Sequence, residues 1–472
     1  MVLKFFNTLS GRKENFVPLE KDRVGMYNCG PTVYQRAHIG NLRAYVFADI
    51  LRRTLEQNNY TIRQVINITD VGHLVGDGDE GEDKVEVGAR REGRSAAQIA
   101  EFYTQTFLED LKKLNVKTDG TLFPRATAHI PEQIELIKIL EEKGFTYRIS
   151  DGLYFDTAKF PNYGKLGQID LAGEMAGARV PARAGKKNPR DFALWKFSSN
   201  LETLPPNGGK ASRRQQEWAS PWGVGFPGWH LECSAMSVKY LGQPFDIHTG
   251  GVDHIGTHHN NEIAQSEAAT GKPLANFWLH SEFLNLAGEK IAKSVGNTLS
   301  LDDLIKKNIS PLAYRYWLLM AHYRTPINFN LETLLGTEKA LERLQEVFLK
   351  LPIKNGKVNE NYQTKLIETM GDDLNTPRAI ANLQKLFHDE TLAPADKYAT
   401  ILEYDKILGL NFIGIQPAKA STEIKKLMKE RETARLKGDF KQSDILRVKI
   451  QELGYLIEDT STGPHLRKIN KK

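Results

Sequence analysis

Cysteine is almost missing from this chain: its 472 residues include only Cys29 and Cys233. Two thiols cannot build a disulfide scaffold, and such sparing use fits a reducing compartment, so the expected location is the cytoplasm. Long apolar runs are missing too. No stretch reaches the ~18 residues that a membrane helix needs. The start, Met1-Val2-Leu3-Lys4-Phe5-Phe6, lacks both the apolar core and the small-residue cleavage site of a secretory signal. No membrane is therefore expected as a partner. Neither charge dominates, since 64 Lys and Arg stand against 58 Asp and Glu. There is no fixed-period repeat, no low-complexity tract and no long coiled-coil seam, which leaves a monomer as the expected state.

What remains is the composition of a soluble globular protein, 40% hydrophobic and 26% charged. At roughly 100–200 residues per domain the length suggests about three domains. The charge is uneven. Residues 421–472 hold 13 Lys or Arg and 8 Asp or Glu, most of the net +6 of the whole chain. A basic terminal module is a candidate footprint for nucleic acid, although a solvated helical surface explains the charge equally well.

The first third reads as α/β. Residues 23–28 form a short strand candidate that runs into the turn Cys29-Gly30-Pro31-Thr32. Apolar residues at Val46, Ile50, Leu51 and Leu55 predict a helix over about 42–58, and 61–68 is a second strand candidate. Strand, crossover helix and strand make the βαβ unit of a parallel sheet. Further helices are expected over 96–114 and 132–143, and hairpin material at 151–155. Residues 198–228 read as a long irregular loop, and 244–248 as a strand. Beyond about Ser300 the pattern is almost wholly helical, with linkers expected at 352–360 and 412–420. The Gly-rich acidic stretch 76–83 resembles a calcium loop but lacks the spacing of an EF-hand.

Three constellations look chemical. Cys29 follows the first strand, where open α/β sheets bind ligands. Cys233 lies in Gly228-Trp229-His230-Leu231-Glu232-Cys233, and His258-His259-Asn260-Asn261-Glu262 follows downstream. On a helix His258 and Glu262 share one face. Two thiolates, an imidazole and a carboxylate suit zinc. His254 and His258 are also four apart, so the spacing leaves the ligand choice open. Next, His38-Ile39-Gly40-Asn41 precedes the first long helix, whose N-terminus favours phosphate. Lastly, Lys290-Ile291-Ala292-Lys293-Ser294 suits a loop that binds polyphosphate.

Taken together, the stretch from Cys29 to Asn41 resembles the HIGH region of class I aminoacyl-tRNA synthetases, and residues 290–294 resemble their KMSKS loop. Within that class the chain resembles the cysteinyl-tRNA synthetases. The resemblance rests on Asn67-Ile68-Thr69-Asp70, on Pro227-Gly228-Trp229-His230-Leu231-Glu232-Cys233-Ser234, on Asp246-Ile247-His248-Thr249-Gly250-Gly251 and on residues 258–262. It continues through Asp372-Asp373-Leu374-Asn375-Thr376-Pro377 and a tail similar to the family's small C-terminal module.

The resemblance implies a Rossmann-like catalytic domain over residues 1–300 with an insertion at about 115–225. A stem-contact and helical-bundle region over 301–415 and an anticodon-binding module over 416–472 would follow. It implies one zinc held by Cys29, Cys233, His258 and Glu262, ATP with Mg2+, and L-cysteine and tRNA(Cys) as substrates. His38, Asn41, Lys290 and Lys293 would handle the phosphates. Asp253 would hold the ribose, and Thr69, Trp229 and His248 would line the amino-acid pocket. Asn41 departs from the final His of HIGH, residues 290–294 lack the Met and first Ser of KMSKS, and Leu466 stands where an aromatic is expected. Two other readings are a cysteine ligase with a small amine acceptor, which the basic tail disfavours, and a degenerate RNA-binding paralogue, which the retained site residues disfavour.

Overall fold

A computed structural model describes residues 2–74, 81–168, 185–198, 214–286, 289–290, 298–352, 356–415, 422–453, 455–460 and 463–468. An antiparallel hairpin of β1 (Lys4–Asn7) and β2 (Arg12–Asn15) comes first. Then β3 (Arg23–Asn28), α1 (Ile39–Gln57) and β4 (Thr61–Ile66) form the expected βαβ unit, with β3 and β4 parallel. Helix α1 starts three residues earlier than its apolar pattern suggested, because His38 and Asn41 cap it. α2 (Lys84–Glu92), α3 (Ala96–Lys113) and α4 (Ile130–Glu142) follow.

Residues 146–227 supply a separate antiparallel sheet of β5 (Thr146–Ile149), β6 (Gly152–Phe155), β7 (Phe192–Phe197) and β8 (Gly225–Pro227). The last strand falls inside the stretch read as an irregular loop. It pairs through Trp195, Lys196 and Phe197 of β7, a tertiary contact that its own Gly-Phe-Pro sequence does not announce. The chain then returns to the parallel sheet through α5 (Trp229–Leu241), β9 (Phe245–Gly251), α6 (His258–Thr270) and β10 (Ala275–Ser281).

The parallel sheet has the order β10-β9-β3-β4. The connections β3-α1-β4 and β9-α6-β10 leave the sheet centre in opposite directions, so the topological switch point lies between β3 and β9. Ligands of open α/β sheets bind at the carboxyl ends of the strands flanking such a point. Side chains alternate across the sheet. Val24, Met26 and Ile247 pack with α1 on one face, while Tyr27, Val65 and Trp278 pack towards the segments carrying Leu231, Cys233 and Ile263 on the other.

β11 (Leu284–Leu286), β12 (Glu289–Lys290) and β13 (Ile327–Phe329) form a small sheet. Up to residue 415 the rest is helical as expected: α7 (Leu301–Lys306), α8 (Pro311–Leu319), α9 (Leu331–Leu349), α10 (Glu360–Gly371), α11 (Thr376–His388) and α12 (Pro394–Leu408). The linker read at 412–420 does not begin as one. Phe412 is fully buried against Phe348 and Phe387. The tail contains α13 (Thr422–Leu436), α14 (Phe440–Glu452) and a hairpin of β14 (Tyr455–Thr460) and β15 (Gly463–Lys468). No helix among the described residues is long and apolar enough to cross a membrane.

Candidate active site at the carboxyl edge of the sheet

Cys29 leaves β3 at the switch point. Its turn is tight: a Cβ on Gly30 would lie 1.4 Å from the Asn67 carbonyl oxygen, so only glycine fits. Cys233 projects from the second turn of α5, and His258 and Glu262 from the first two turns of α6. One donor atom from each of these four buried side chains lies within 4.8 Å of every other. His258 Nε2 is 3.0 Å from Glu262 Oε1. An overlapping set replaces Cys233 and His258 by His248 and His259. In that set Cys29 Sγ is 3.2 Å from His259 Nε2, and His248 Nε2 is 2.9 Å from Glu262 Oε2. His254, which spacing alone left open, belongs to neither set among the described residues.

The donor chemistry suits a soft divalent cation. Zinc favours thiolate and imidazole, and only the set with Cys233 brings both thiols together. Burial and the neighbouring Cys233 sulfur push the Cys29 thiol well up. The hydrogen bond from Cys29, helped by His258, brings the Cys233 thiol down to about 6 in spite of burial. Burial opposes a charged His258, but Glu262 and Cys233 outweigh it and raise that ring to about 10. Burial likewise opposes the Glu262 carboxylate, and His248 and His258 outweigh it and hold its pKa low. As ligands, two thiolates and a carboxylate would bring buried negative charge that a divalent cation compensates.

A second layer orients these groups. His258 Nδ1 faces His230 Nδ1 at 2.8 Å, and His259 Nδ1 faces His280 Nε2 at 2.8 Å. Such contacts fix the tautomer and ring orientation of a ligating histidine. His248 is fully buried, with its ring stacked on Trp278 at 4.4 Å, so it supports Glu262 from below. Thr69 is buried, and its hydroxyl accepts a hydrogen bond from Asn67 Nδ2 at 3.0 Å. Trp229 opens α5 with its ring 4.3 Å from that of His258. Thr69, Trp229 and His248 thus lie on the three segments that carry Cys233, the 67–70 motif and Glu262's partner.

The phosphate-handling candidates sit at the start of α1. His38 Nδ1 accepts the Asn41 backbone N–H at 3.1 Å, and the His38 N–H donates to Asn41 Oδ1 at 3.3 Å. A neutral His38 therefore carries its proton on Nε2, and Asn41 keeps its amide nitrogen as a donor. Asn41 has a structural role in this capping box that a histidine could not fill in the same way. Asp253 is exposed in a single turn after β9. Lys290 ends β12, opposite Asn285 of β11. Lys293 lies outside the described residues, as do residues 76–80 of the acidic stretch.

Sequence reasoning missed His259, His280 and His230 as a packed imidazole layer, and His73 as the ring stacked on Trp229. The available signal was the density of histidine, with 12 in the chain and most of them around one site. It also missed Phe440, 67% exposed at the start of α14, beside Lys441.

Residues 15–339 match the family model described as the tRNA synthetases class I (C) catalytic domain. Cysteine–tRNA ligase 1 of Burkholderia lata is 47% identical over 469 residues, covering 99% of this chain and 97% of that protein. Cysteine–tRNA ligase of Treponema denticola is 43% identical over 504 residues, covering 99% and 100%. Among solved structures, Mycobacterium tuberculosis methionyl-tRNA synthetase in complex with methionyl-adenylate aligns with TM-score 0.52 at 16% identity. It covers 82% of this chain and 90% of that one. Agrobacterium radiobacter LeuRS, in a ternary complex with tRNA and LeuAMS, aligns with TM-score 0.56 at 12% identity, covering 84% of each chain. Those two distant likenesses give the fold, and the near relatives give the branch: the chain belongs to the cysteine–tRNA ligase family of class I tRNA synthetases.

Proposed function

We propose that this chain activates L-cysteine with ATP and transfers it to the 3′ end of tRNA(Cys). The observation that carries the reading is the convergence of its only two cysteines with His258 and Glu262 at the sheet's switch point. Zinc, held by Cys29, Cys233, His258 and Glu262, would supply a soft Lewis-acidic position that favours the substrate's thiol over the hydroxyl of serine. A site built for one specific polar contact rejects an analogue lacking it by roughly 10⁴–10⁵, so no editing domain is needed.

The chain's own residues do the rest. In the first step a carboxylate oxygen of cysteine attacks the α-phosphorus of ATP, and pyrophosphate leaves with Mg2+. Catalysis is then mainly alignment and charge stabilisation. His38 donates Nε2–H and Asn41 its amide to phosphate oxygens, at the positive end of α1. Lys290 and Lys293 neutralise the phosphates from the opposite side. Asp253 accepts a ribose hydroxyl. Thr69 and Trp229 confine the amino acid, and His248 keeps Glu262 turned towards His258. In the second step a terminal ribose hydroxyl of tRNA attacks the adenylate's carbonyl carbon, and AMP departs.

The tail fits the RNA half of the reaction. Its helices carry 8 Lys or Arg against 5 Asp or Glu, and an exposed Phe440 beside Lys441 is a platform on which an unpaired base can stack. The same reading makes the protein a cytoplasmic monomer, with a catalytic part over residues 1–300, a stem-contact and helical part over 301–415, and an RNA-binding tail from 416. The test is aminoacylation with radiolabelled cysteine and total tRNA. The expected result is a cysteine ester on one tRNA, with serine inert. Adenylate formation without any tRNA product would favour the small-amine ligase instead.

A further inference from the structure

The segment between β4 and α2 has a role that the reaction steps leave unused. At Gly72 the backbone has φ +79°, and a Cβ there would lie 2.7 Å from the Pro227 carbonyl oxygen. Only glycine lets the strap run this close to the start of α5. The strap is closed by Asp83, which accepts the Gly72 N–H at 2.8 Å and caps α2 through the Val85 N–H at 2.8 Å. It presents His73, whose ring is stacked on the Trp229 indole with centroids 3.9 Å apart and planes 8° apart.

Both ring nitrogens of His73 are held. Nδ1 is 2.5 Å from Thr32 Oγ1, and Nε2 is 2.6 Å from Lys84 Nζ. An ammonium group only donates, so Nε2 accepts from Lys84 and a neutral ring donates its Nδ1–H to Thr32. Thr32 belongs to the turn that follows Cys29, Lys84 opens α2, and Trp229 opens α5. One ring thereby locks three segments around the indole, which also lies against His258.

We propose that His73 is a positioning residue that fixes Trp229 as a wall of the amino-acid pocket and so sets the affinity for cysteine. This rests on the cysteine-charging reading. The indole is only half-buried, and the stack on His73 stops it from turning away when the pocket is empty. Substrate then meets a formed wall and spends no binding energy on ordering it.

The test is cysteine-dependent pyrophosphate exchange on the full-length protein, varying cysteine and ATP in turn. Losing a stacked aromatic pair should raise the KM for cysteine about five- to tenfold in His73→Ala, with kcat and the KM for ATP within about twofold. His73→Phe keeps the ring without its hydrogen bonds and should recover more than half of that loss. In a Trp229→Ala background His73→Ala should change nothing further, because the two residues act as a unit. If His73→Ala does not fold, Lys84→Met, which removes the hydrogen bond to Nε2 at a half-buried side chain, should raise the cysteine KM about two- to threefold. An unchanged cysteine KM overturns the proposal. So does an equal rise in the KM for ATP, a Phe variant as poor as Ala, or full additivity with Trp229→Ala. A wild-type protein inert towards cysteine would remove the underlying reading as well, whereas an active wild type with an indifferent His73→Ala removes this inference alone.

Discussion

The two ends of the site are built in opposite ways. At the thiol end every candidate donor is buried: Cys29 directly follows a strand, and Cys233, His258 and Glu262 stand on helices backed by further histidines. At the phosphate end His38 is half-buried, Asn41 is exposed, and Lys290 lies on a two-residue strand. On the proposed function, the difference follows from what each end would do. Telling sulfur from oxygen requires donors that cannot move to suit the wrong ligand. Handling polyphosphate requires groups that engage a large hydrated anion and release it each cycle.

The strongest way to break this contrast is at the thiol end. Cys233→Ala should reduce bound zinc from about one equivalent to almost none. Losing a ligand should cost cysteine activation more than the 10–100-fold typical of residues behind a ligand. Metal analysis of the purified protein, paired with pyrophosphate exchange, measures both. Ligands must be deprotonated to bind, and both the Cys29 thiol and the His258 ring, the latter at about 10, lie above their ordinary values, so zinc affinity in the wild type should fall as pH drops from about 10 and fall further where acid protonates the Cys233 thiolate, near 6. A metal-free protein with full activity would end the comparison.

At the phosphate end, Lys293→Ala should lower kcat for exchange by roughly 10²-fold, the scale of losing one preorganised electrostatic donor. Its KM should move less, because the contact is made mainly in the transition state. Zinc content should stay at the wild-type level, which is what separates the two ends. Near-normal exchange would remove Lys293 from the phosphate-handling set.

A third test asks what the phosphate end stands on. Helix α1 carries His38 at its cap and is pinned along its length by Asp49. That carboxylate takes Arg315 Nη2 at 2.5 Å and Arg53 Nε at 2.8 Å, both away from solvent, and the Lys117 N–H at 2.8 Å. Burial works to raise the Asp49 pKa, but Arg315 and Arg53 outweigh it and hold it down. A depressed carboxylate contributes stability above its unfolded pKa and loses it as pH falls. Asp49→Asn strands Arg315, which is fully buried, and should cost about 3–5 kcal/mol, read as a lower urea midpoint. Zinc binding by the folded fraction should be unchanged.

The same contrast explains what could be read without coordinates. The convergence of Cys29, Cys233, His258 and Glu262 was legible because rare residue types in family motifs carry their own signal. The existence of a second, overlapping donor set was not, since it depends on β3 and β9 being neighbours, with Tyr27 opposite His248. The βαβ unit was legible from periodicity, whereas β8 was not, because pairing with β7 rather than local propensity makes it a strand. His73 was passed over because its partner, Trp229, lies 156 residues away. Phe412, read as part of a linker, is buried by helices α9 and α11, whose packing no local pattern reveals.

The smallest effect on activation is expected in the tail. The tail from Ser421 carries 13 Lys or Arg against 8 Asp or Glu and none of the candidate activation residues. A chain ending near Gln416 should therefore still make cysteinyl-adenylate at close to the full-length rate. Transfer to tRNA should fall sharply, because the phosphates that the tail neutralises and the base that Phe440 could stack on lose their partners. Each phosphate contact removed should also flatten the dependence of log affinity on log salt by about one unit per charge. Exchange and charging, measured side by side across a salt series, read both effects. Equal loss of the two activities would make the tail a folding element of the whole chain, and loss of neither would remove it from tRNA binding. Loss of charging with an unchanged salt slope would place its contribution in base stacking rather than charge, and Phe440→Ala in the full-length chain would then reproduce most of the truncation's effect.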